Sequence, residues 1–221
     1  MINQKIIILK INSQIYINLK KQCYNHLMIR KAQPDDIEQI KQIYFHYLLD
    51  TDQINEQNQD YIAQVEQTGF TVSPGKTDLL NRIKQSQIFN VLERNDKILG
   101  YIDLNKEIYF PEKATNISWT DQNLKSTYFH DQDSIALHHI AVLPEFKQQG
   151  FANKLFDHAM LQLKELRKKH LFAIVTTGPV VNKPSIIFHQ KMGFKQVCQT
   201  APIDLFGLKG YESVLFYRKI S

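Results

Sequence analysis

Cysteine is scarce in this chain: Cys23 and Cys198 are the two in 221 residues. So few, so far apart, form neither a metal-ligand spacing nor a disulfide framework, which excludes zinc-ribbon and stapled secreted folds. A reducing cytoplasm is the expected compartment. Long apolar runs are missing too. No stretch approaches the ~20 residues that a membrane-spanning helix needs. The opening MINQKIIILKINSQIYINLK has only a short apolar core followed by Lys, Asn and Gln, too polar for a secretory signal. Excess charge is also modest, a net +5 spread thinly. The densest basic run, LRKKH at 166–170, ends a helical pattern, where cations complement the helix dipole. Neither a nucleic-acid footprint nor a membrane surface is expected from this, whereas an anionic cofactor accounts for a mild positive excess.

What the chain does contain is core material. Hydrophobic residues make up 43% of it, with 13 Phe and 10 Tyr, and the length suits one domain with or without an appendage. Residues 1–27, rich in Ile, Asn, Gln and Lys, carry no clear cap or turn and read as an N-terminal extension. The domain is expected over 28–221. It opens with a strand at 29–32, then Gln33-Pro34-Asp35-Asp36, a helix start with proline and acids in the first turn. Ile37, Ile40, Tyr44, Tyr47 and Leu48 follow at helical spacing. Residues 50–76 read as a mobile loop with one short helix, and 77–86 as a helix capped by Thr77. IFNVLER and KILGYIDLNK flank Asn95-Asp96, a hairpin pattern. Residues 107–130 are a long polar and aromatic connection. Beyond it come a strand at 134–142, a helix at 151–169, a buried strand at 171–178, a helix at 184–192 and two closing strands. The strand–helix–strand alternation implies parallel strands joined by a crossover.

The chemistry is carried by IAVLPEFKQQGFANKLF, 140–156. A strand ends at Val142, Pro144 stops it, and a polar loop with a single glycine, Gly150, opens a helix. Backbone N–H groups at such a turn, with the positive end of the helix dipole behind them, make an anion site. Gly150 admits close approach, Ala152 keeps the helix start small, and Lys147 adds a positive charge. With one glycine the loop is neither a Walker loop nor a dinucleotide fingerprint.

Three segments in order carry a family resemblance: MIRKAQPDDIEQIKQIYFHY, then Lys147-Gln148-Gln149-Gly150-Phe151-Ala152 after Val142-Leu143-Pro144, then NKPSIIFHQKMGF at 182–194. Together they resemble the GCN5-related N-acetyltransferases (GNAT), nearest to the phosphinothricin acetyltransferase-like branch. Lys147 stands where the family usually has Arg or Gln. The resemblance implies an α/β (α+β) fold, a mixed, twisted β-sheet flanked by helices and splayed between the strands at 135–142 and 171–178. It implies acetyl-CoA in that wedge, its pyrophosphate on the amides of Gln148, Gln149, Gly150, Phe151 and Ala152, and its pantetheine arm along Ile140, Ala141 and Val142. Asn182, Ser185 and Phe188 would line the cofactor from the following helix, Asn182 doubling as a helix cap. The implied reaction is transfer of an acetyl group to the amine of a small molecule or amino acid. A catalytically weak acyl-CoA-binding or regulatory module, and a protein or peptide acyltransferase, stand as alternatives. The resemblance also admits a homodimer.

Three histidines are candidate proton carriers. His189 occupies the position where many relatives carry a tyrosine that protonates the departing thiolate, and Ser185 lies one turn before it. The competing reading is a histidine packed into the helix–sheet layer; no second ligand at i+3 or i+4 supports a metal. His138 and His139 are neighbours on a strand, so they should face opposite sides, one toward the cleft as a base. Asp103, Glu107 and Asp133 are weaker rivals. Cys198 has no base beside it in sequence. Tyr109, Phe110, Trp119, Tyr128 and Phe129 either wall an acceptor pocket or pack the insertion, and packing is favoured.

Overall fold

The computed structural model describes residues 27–72, 78–106, 117–130 and 132–221. The expectations for residues 1–26, including Cys23, for Pro74, Gly75 and Thr77, and for Glu107, Tyr109 and Phe110 lie outside the described residues, as does the side chain of Phe129.

β1 (Met28–Lys31) leads through a single 3-10 turn (Pro34–Asp36) into α1 (Ile37–His46). The turn is fastened by Asp36, whose carboxylate accepts from the Gln33 amide at 2.7 Å and from both terminal nitrogens of Arg30 at 2.7 and 2.8 Å. α2 (Gln59–Thr68) and α3 (Leu79–Gln85) follow; α3 is capped by Asp78, which accepts from the Asn81 amide at 2.9 Å. β2 (Ile88–Arg94) and β3 (Lys97–Asn105) form the expected hairpin. Its turn residues Asn95 and Asp96 have φ of 55° and 61°. Both being positive fits a two-residue turn whose twist matches the strands. β4 (Ile117–Trp119) and α4 (Gln122–His130) precede β5 (Ser134–Val142). Then come α5 (Phe151–Glu165), β6 (His170–Gly178), α6 (Lys183–Lys191), β7 (Lys195–Thr200), β8 (Ile203–Leu205) and β9 (Leu208–Lys219).

The strands lie in the order β1-β2-β3-β5-β6-β9-β7-β4, with β8 on β9. β5 and β6 are parallel, and the other pairs are antiparallel. α5 and α6 cover one face. From α5, Phe151, Leu155, Phe156, Ala159, Met160 and Leu163 are buried there against Leu99, Ile102, Leu137 and Phe216. Burying each such side chain is worth roughly 1.5–3 kcal/mol. Leu166, expected on the same stripe, is exposed, because the helix ends at Glu165. The opposite face is covered by α1 and α3 over β2 and β3, and by α4 at the β7 end.

The two long connections hold more structure than their composition suggests. Residues 50–72 contain a 3-10 turn (Thr51–Gln53) and the ten-residue α2. These pack on the β8–β9 hairpin through Leu49, Val65, Phe70, Val180, Leu208 and Tyr211. In the second connection Trp119 and Tyr128 are buried with Phe172, Val197, Cys198 and Leu215, so these aromatics are core. Tertiary packing overrides the polar composition in both cases.

Candidate active site

β5 and β6 pair only through Ser134↔His170, Ile135↔Leu171 and Ala136↔Phe172. Past that point β5 stays on β3 as far as Val142, and β6 stays on β9 as far as Gly178, so the sheet opens between them. A bulge in β5 accompanies the opening: Asp103 faces His139 while Leu104 faces Leu137, leaving His138 as the extra residue. The bulge puts Leu137 and Ile140 on the same face, both against the α5 core. Leu143 donates its N–H to Leu99 on the β3 side at 2.8 Å. By the alternation of a strand, the backbone groups of Val142 and Ile140 therefore turn to the open side. The Val142 carbonyl there accepts from the Tyr47 hydroxyl at 2.7 Å. The N–H groups of Ile140 and Val142 and the Ile140 carbonyl face a gap that β6 no longer spans. Backbone groups so placed call for a ligand to pair with them. Gly100 makes the approach of β3 possible here, since a Cβ on it would lie 2.6 Å from the Ala141 carbonyl oxygen.

At the end of β5 the loop turns through left-handed residues, Gln148 at φ 60° and Gly150 at φ 77°. Gly150 is the N-cap of α5 and supplies no side-chain cap. The first intrahelical acceptance is by its carbonyl, from Lys154 at 3.1 Å, so the amides of Phe151, Ala152 and Asn153 are left without helical partners. Among the described residues, no atom beyond its chain neighbours lies within 4 Å of a Cβ built on Gly150. Gln149 folds back, its Nε2 donating to the Glu145 carbonyl at 3.3 Å. Lys147 does not enter this cradle. Its Nζ donates to the Thr68 carbonyl at 2.7 Å and lies 4.6 Å from the centre of the Tyr47 ring. What this turn could offer an anion is therefore backbone amide and helix dipole.

The gap is bridged by the residues that follow α2. The Phe70 carbonyl accepts from Asn182 Nδ2 at 2.6 Å, on the β6 side. The next residue, Thr71, has its hydroxyl 2.6 Å from His139 Nε2, on β5. Glu66 adds to the β6 side, accepting from the Val181 amide at 2.9 Å and from Lys183 Nζ at 2.6 Å. Lys147 adds to the β5 side through Thr68. Residues 66–71 therefore form a strap fastened to both jaws of the wedge. None of Thr71, Glu66 or Tyr47 stood out as functional in the sequence; Tyr47 read as part of a helical stripe, and Thr71 lies in a stretch with no periodicity.

The structure separates the three histidines. His139 is half-buried, with Nδ1 2.7 Å from the Tyr101 hydroxyl and Nε2 on Thr71. In either tautomer both ring nitrogens are in use. Desolvation, then the charges of Arg82 and His138, push it down to about 3, so it is neutral at neutral pH. His189 is 4% exposed, stacked on Phe216 with Phe188 and Phe194 edge-on. Its Nδ1 lies 2.7 Å from the Ser185 carbonyl oxygen. A carbonyl only accepts, so Nδ1 carries the proton and Nε2 is a bare lone pair. Nε2 is buried with no partner among the described residues. Burial pushes this ring down to about 4, against the opposing pull of the Ser185 carbonyl. His138 is the bulge residue, half-buried on the strand that lines the gap.

Asn182 caps α6, its Oδ1 accepting from the Ser185 amide at 3.3 Å, while its Nδ2 holds the strap. Ser185 meets His189 chiefly through its carbonyl; its hydroxyl is 3.3 Å from Nδ1. Phe188 packs edge-on to Phe156 at 5.8 Å, against the core. Cys198 is buried on β7, and desolvation pushes its thiol up to about 11, far from a thiolate at neutral pH. Asp133 pairs with Lys169 at 2.6 Å. Asp103 is fully buried and accepts from Arg82 Nε at 2.8 Å. Among the described residues no group of His, Cys, Asp and Glu is placed to hold a metal, and no helix is long and apolar enough to cross a membrane.

Residues 44–194 match the acetyltransferase (GNAT) family model. No curated protein matches the chain. Among solved structures it is similar to an N-acetyltransferase from Staphylococcus aureus Mu50, with 20% identity and a TM-score of 0.56 over 89% of this chain and all of that one. yncA of Salmonella typhimurium, solved with its cofactor acetyl-CoA, aligns with 15% identity and a TM-score of 0.58 over 89% of this chain and 95% of that one. The PaiA N-acetyltransferase of Thermoplasma acidophilum, solved with coenzyme A, aligns with 17% identity and a TM-score of 0.53 over 88% and 99%. These likenesses are of fold. With the family match covering most of the chain, the protein belongs to the GNAT acetyltransferase family.

Proposed function

We propose that this GNAT acetyltransferase moves an acetyl group from acetyl-CoA to the primary amine of a small molecule or amino acid, within a catalytic domain spanning 28–221 and in a cytoplasmic setting. The observation that carries the reading is the opening between β5 and β6, where Ile140 and Val142 face a gap that ends on the uncapped amides of α5. Two diphosphate charges suit that helix start, and an extended amide-containing arm suits the strand edge. The residues present therefore fit acetyl-CoA: Gln148 to Ala152 for the pyrophosphate, Ile140 to Val142 for the arm.

In the reaction the amine nitrogen bonds to the thioester carbonyl carbon and the carbon–sulfur bond breaks. The nitrogen gives up a proton and the sulfur takes one, so the books balance without an added reagent. The Ile140 amide is the donor we assign to the carbonyl oxygen, where negative charge grows in the transition state. A neutral amine is needed at the start, and His138, the bulge residue two positions before Ile140, is the base we assign to it. His139 is committed to Tyr101 and Thr71, and His189 carries no imidazolium proton at neutral pH. His189 belongs in this reading to the cleft wall, its Nε2 a hydrogen-bond acceptor on a ring that stays neutral.

A small acceptor is favoured by what flanks the gap. The 49–72 segment and the β8–β9 hairpin share one apolar cluster, and a Cβ on Gly207 would meet the Thr51 hydroxyl at 2.9 Å. Two walls locked together leave less room for an extended polypeptide than two separate ones.

The test is direct. Coenzyme A at a hundred times its Kd should stabilise the protein by about 2.7 kcal/mol. Thiol release from acetyl-CoA should then appear with some members of an amine panel. Stabilisation without turnover on any amine or peptide would replace the enzyme with an acyl-CoA-binding module, and no stabilisation at millimolar coenzyme A would remove the cofactor assignment.

A further inference from the structure

Lys147 stands in the cofactor loop, yet its ammonium points the other way. It donates to the carbonyl of Thr68, the last residue of α2, at 2.7 Å and covers the Tyr47 ring at 4.6 Å. We propose that Lys147 is the tie that keeps the 66–71 strap seated across the gap, joining the end of α2 to the jaw that carries β5.

Three features make this a built contact. The Thr68 carbonyl lies at the negative end of the α2 dipole, where a cation is favoured. Tyr47 offers its ring face to the ammonium and its hydroxyl to the Val142 carbonyl at 2.7 Å, so the same tyrosine touches the tie and the strand edge. On the opposite jaw Glu66 makes the counterpart, holding the Val181 amide and Lys183. The strap is then held at its start by charged side chains, at Glu66 and at Thr68, and at its end by Asn182 on Phe70 and His139 on Thr71. Gly69 donates to the Val65 carbonyl at 2.9 Å, closing α2 where the strap begins, and Thr71 donates to the Tyr47 carbonyl at 2.7 Å. These amides report directly on whether the strap is seated.

The assignment rests on the reading of the gap as the cofactor cleft, and the experiment separates the two. Amide hydrogen exchange at Gly69 and Thr71 is followed in the wild type, Lys147→Gln, Lys147→Arg and Glu66→Ala, with β2–β3 amides as the internal reference. Coenzyme A affinity is measured on the same proteins by calorimetry. Lys147→Gln should raise strap exchange about tenfold, the factor expected for one charge-assisted hydrogen bond, with the reference unchanged. Glu66→Ala should do the same from the other jaw, and Lys147→Arg should stay near wild type. Coenzyme A affinity of Lys147→Gln should remain within about threefold of wild type, because the cradle is backbone. Unchanged strap exchange in Lys147→Gln overturns the proposal, and so does a loss of coenzyme A affinity of tenfold or more. Absence of coenzyme A binding by the wild type counts against the cofactor cleft, and the exchange result still decides the tie.

Discussion

Replacing His189 by phenylalanine tests the protonation state that the fold imposes on this ring. The unfolded chain holds an ordinary histidine near 6.5, while burial among Phe188, Phe194 and Phe216 lowers the folded value to about 4. The unfolded state therefore binds more protons between these values. The stabilisation is complete above about pH 6.5 and is lost as pH falls through the folded value. Integrating the linkage with these two values gives a loss of about 2 kcal/mol between pH 7 and pH 5, and about 3.4 kcal/mol once both forms are protonated. Phenylalanine removes this term and leaves that of His139 in place, so the difference between the two proteins isolates His189. At pH 7 the variant gives up the bond to the Ser185 carbonyl and is relieved of a bare buried nitrogen, effects that offset to within about 1 kcal/mol. Urea unfolding of both proteins at pH 7, 6 and 5 should show the wild type losing its advantage by about 2 kcal/mol. A flat difference, or a resolved imidazole titration near 6.5 or above, would refute the neutral ring and restore His189 as a standing proton donor.

Other substitutions probe the rest of the site. Gly150→Ala meets no neighbour, so its cost is the left-handed backbone alone, about 1 kcal/mol and a fall in Tm of about 2–4 °C. Its effect on coenzyme A should be larger, a Kd raised at least about tenfold in calorimetry, because the strained turn carries the amides proposed to hold the pyrophosphate. Gly100→Ala forces a Cβ to 2.6 Å from the Ala141 carbonyl and should destabilise by about 1–3 kcal/mol in urea, with weaker coenzyme A binding as β5 shifts. Arg82→Met strands the fully buried Asp103 carboxylate and should cost about 3–5 kcal/mol, while Arg82→Met with Asp103→Leu should recover much of the loss.

Much of the architecture was legible because its causes are local. The Asn95-Asp96 hairpin, the apolar stripe of α5 and the strand–turn–helix around Gly150 each follow from dihedral preference, periodicity or dipole within a short window. α4 was not legible and α2 only as one short helix without bounds, since their sequences are polar and their apolar residues find partners only in distant strands. The same divide runs through the site. Lys147 reads as a loop cation, and only the fold sends it to Thr68. Trp119 and Tyr128 read as core ahead of pocket wall, and burial with Phe172 makes them core.

By itself the sequence determined where helix amides stand without a side-chain cap, because a glycine N-cap after a strand supplies none. It also determined which histidines were worth asking about. Their chemistry was decided by tertiary structure alone. His139 meets Thr71 across 68 residues, Lys147 meets Thr68 across 79, and Asn182 meets Phe70 across 112. A ring's protonation depends on the water it has lost and the dipoles it faces, and both are supplied by residues far away in the chain.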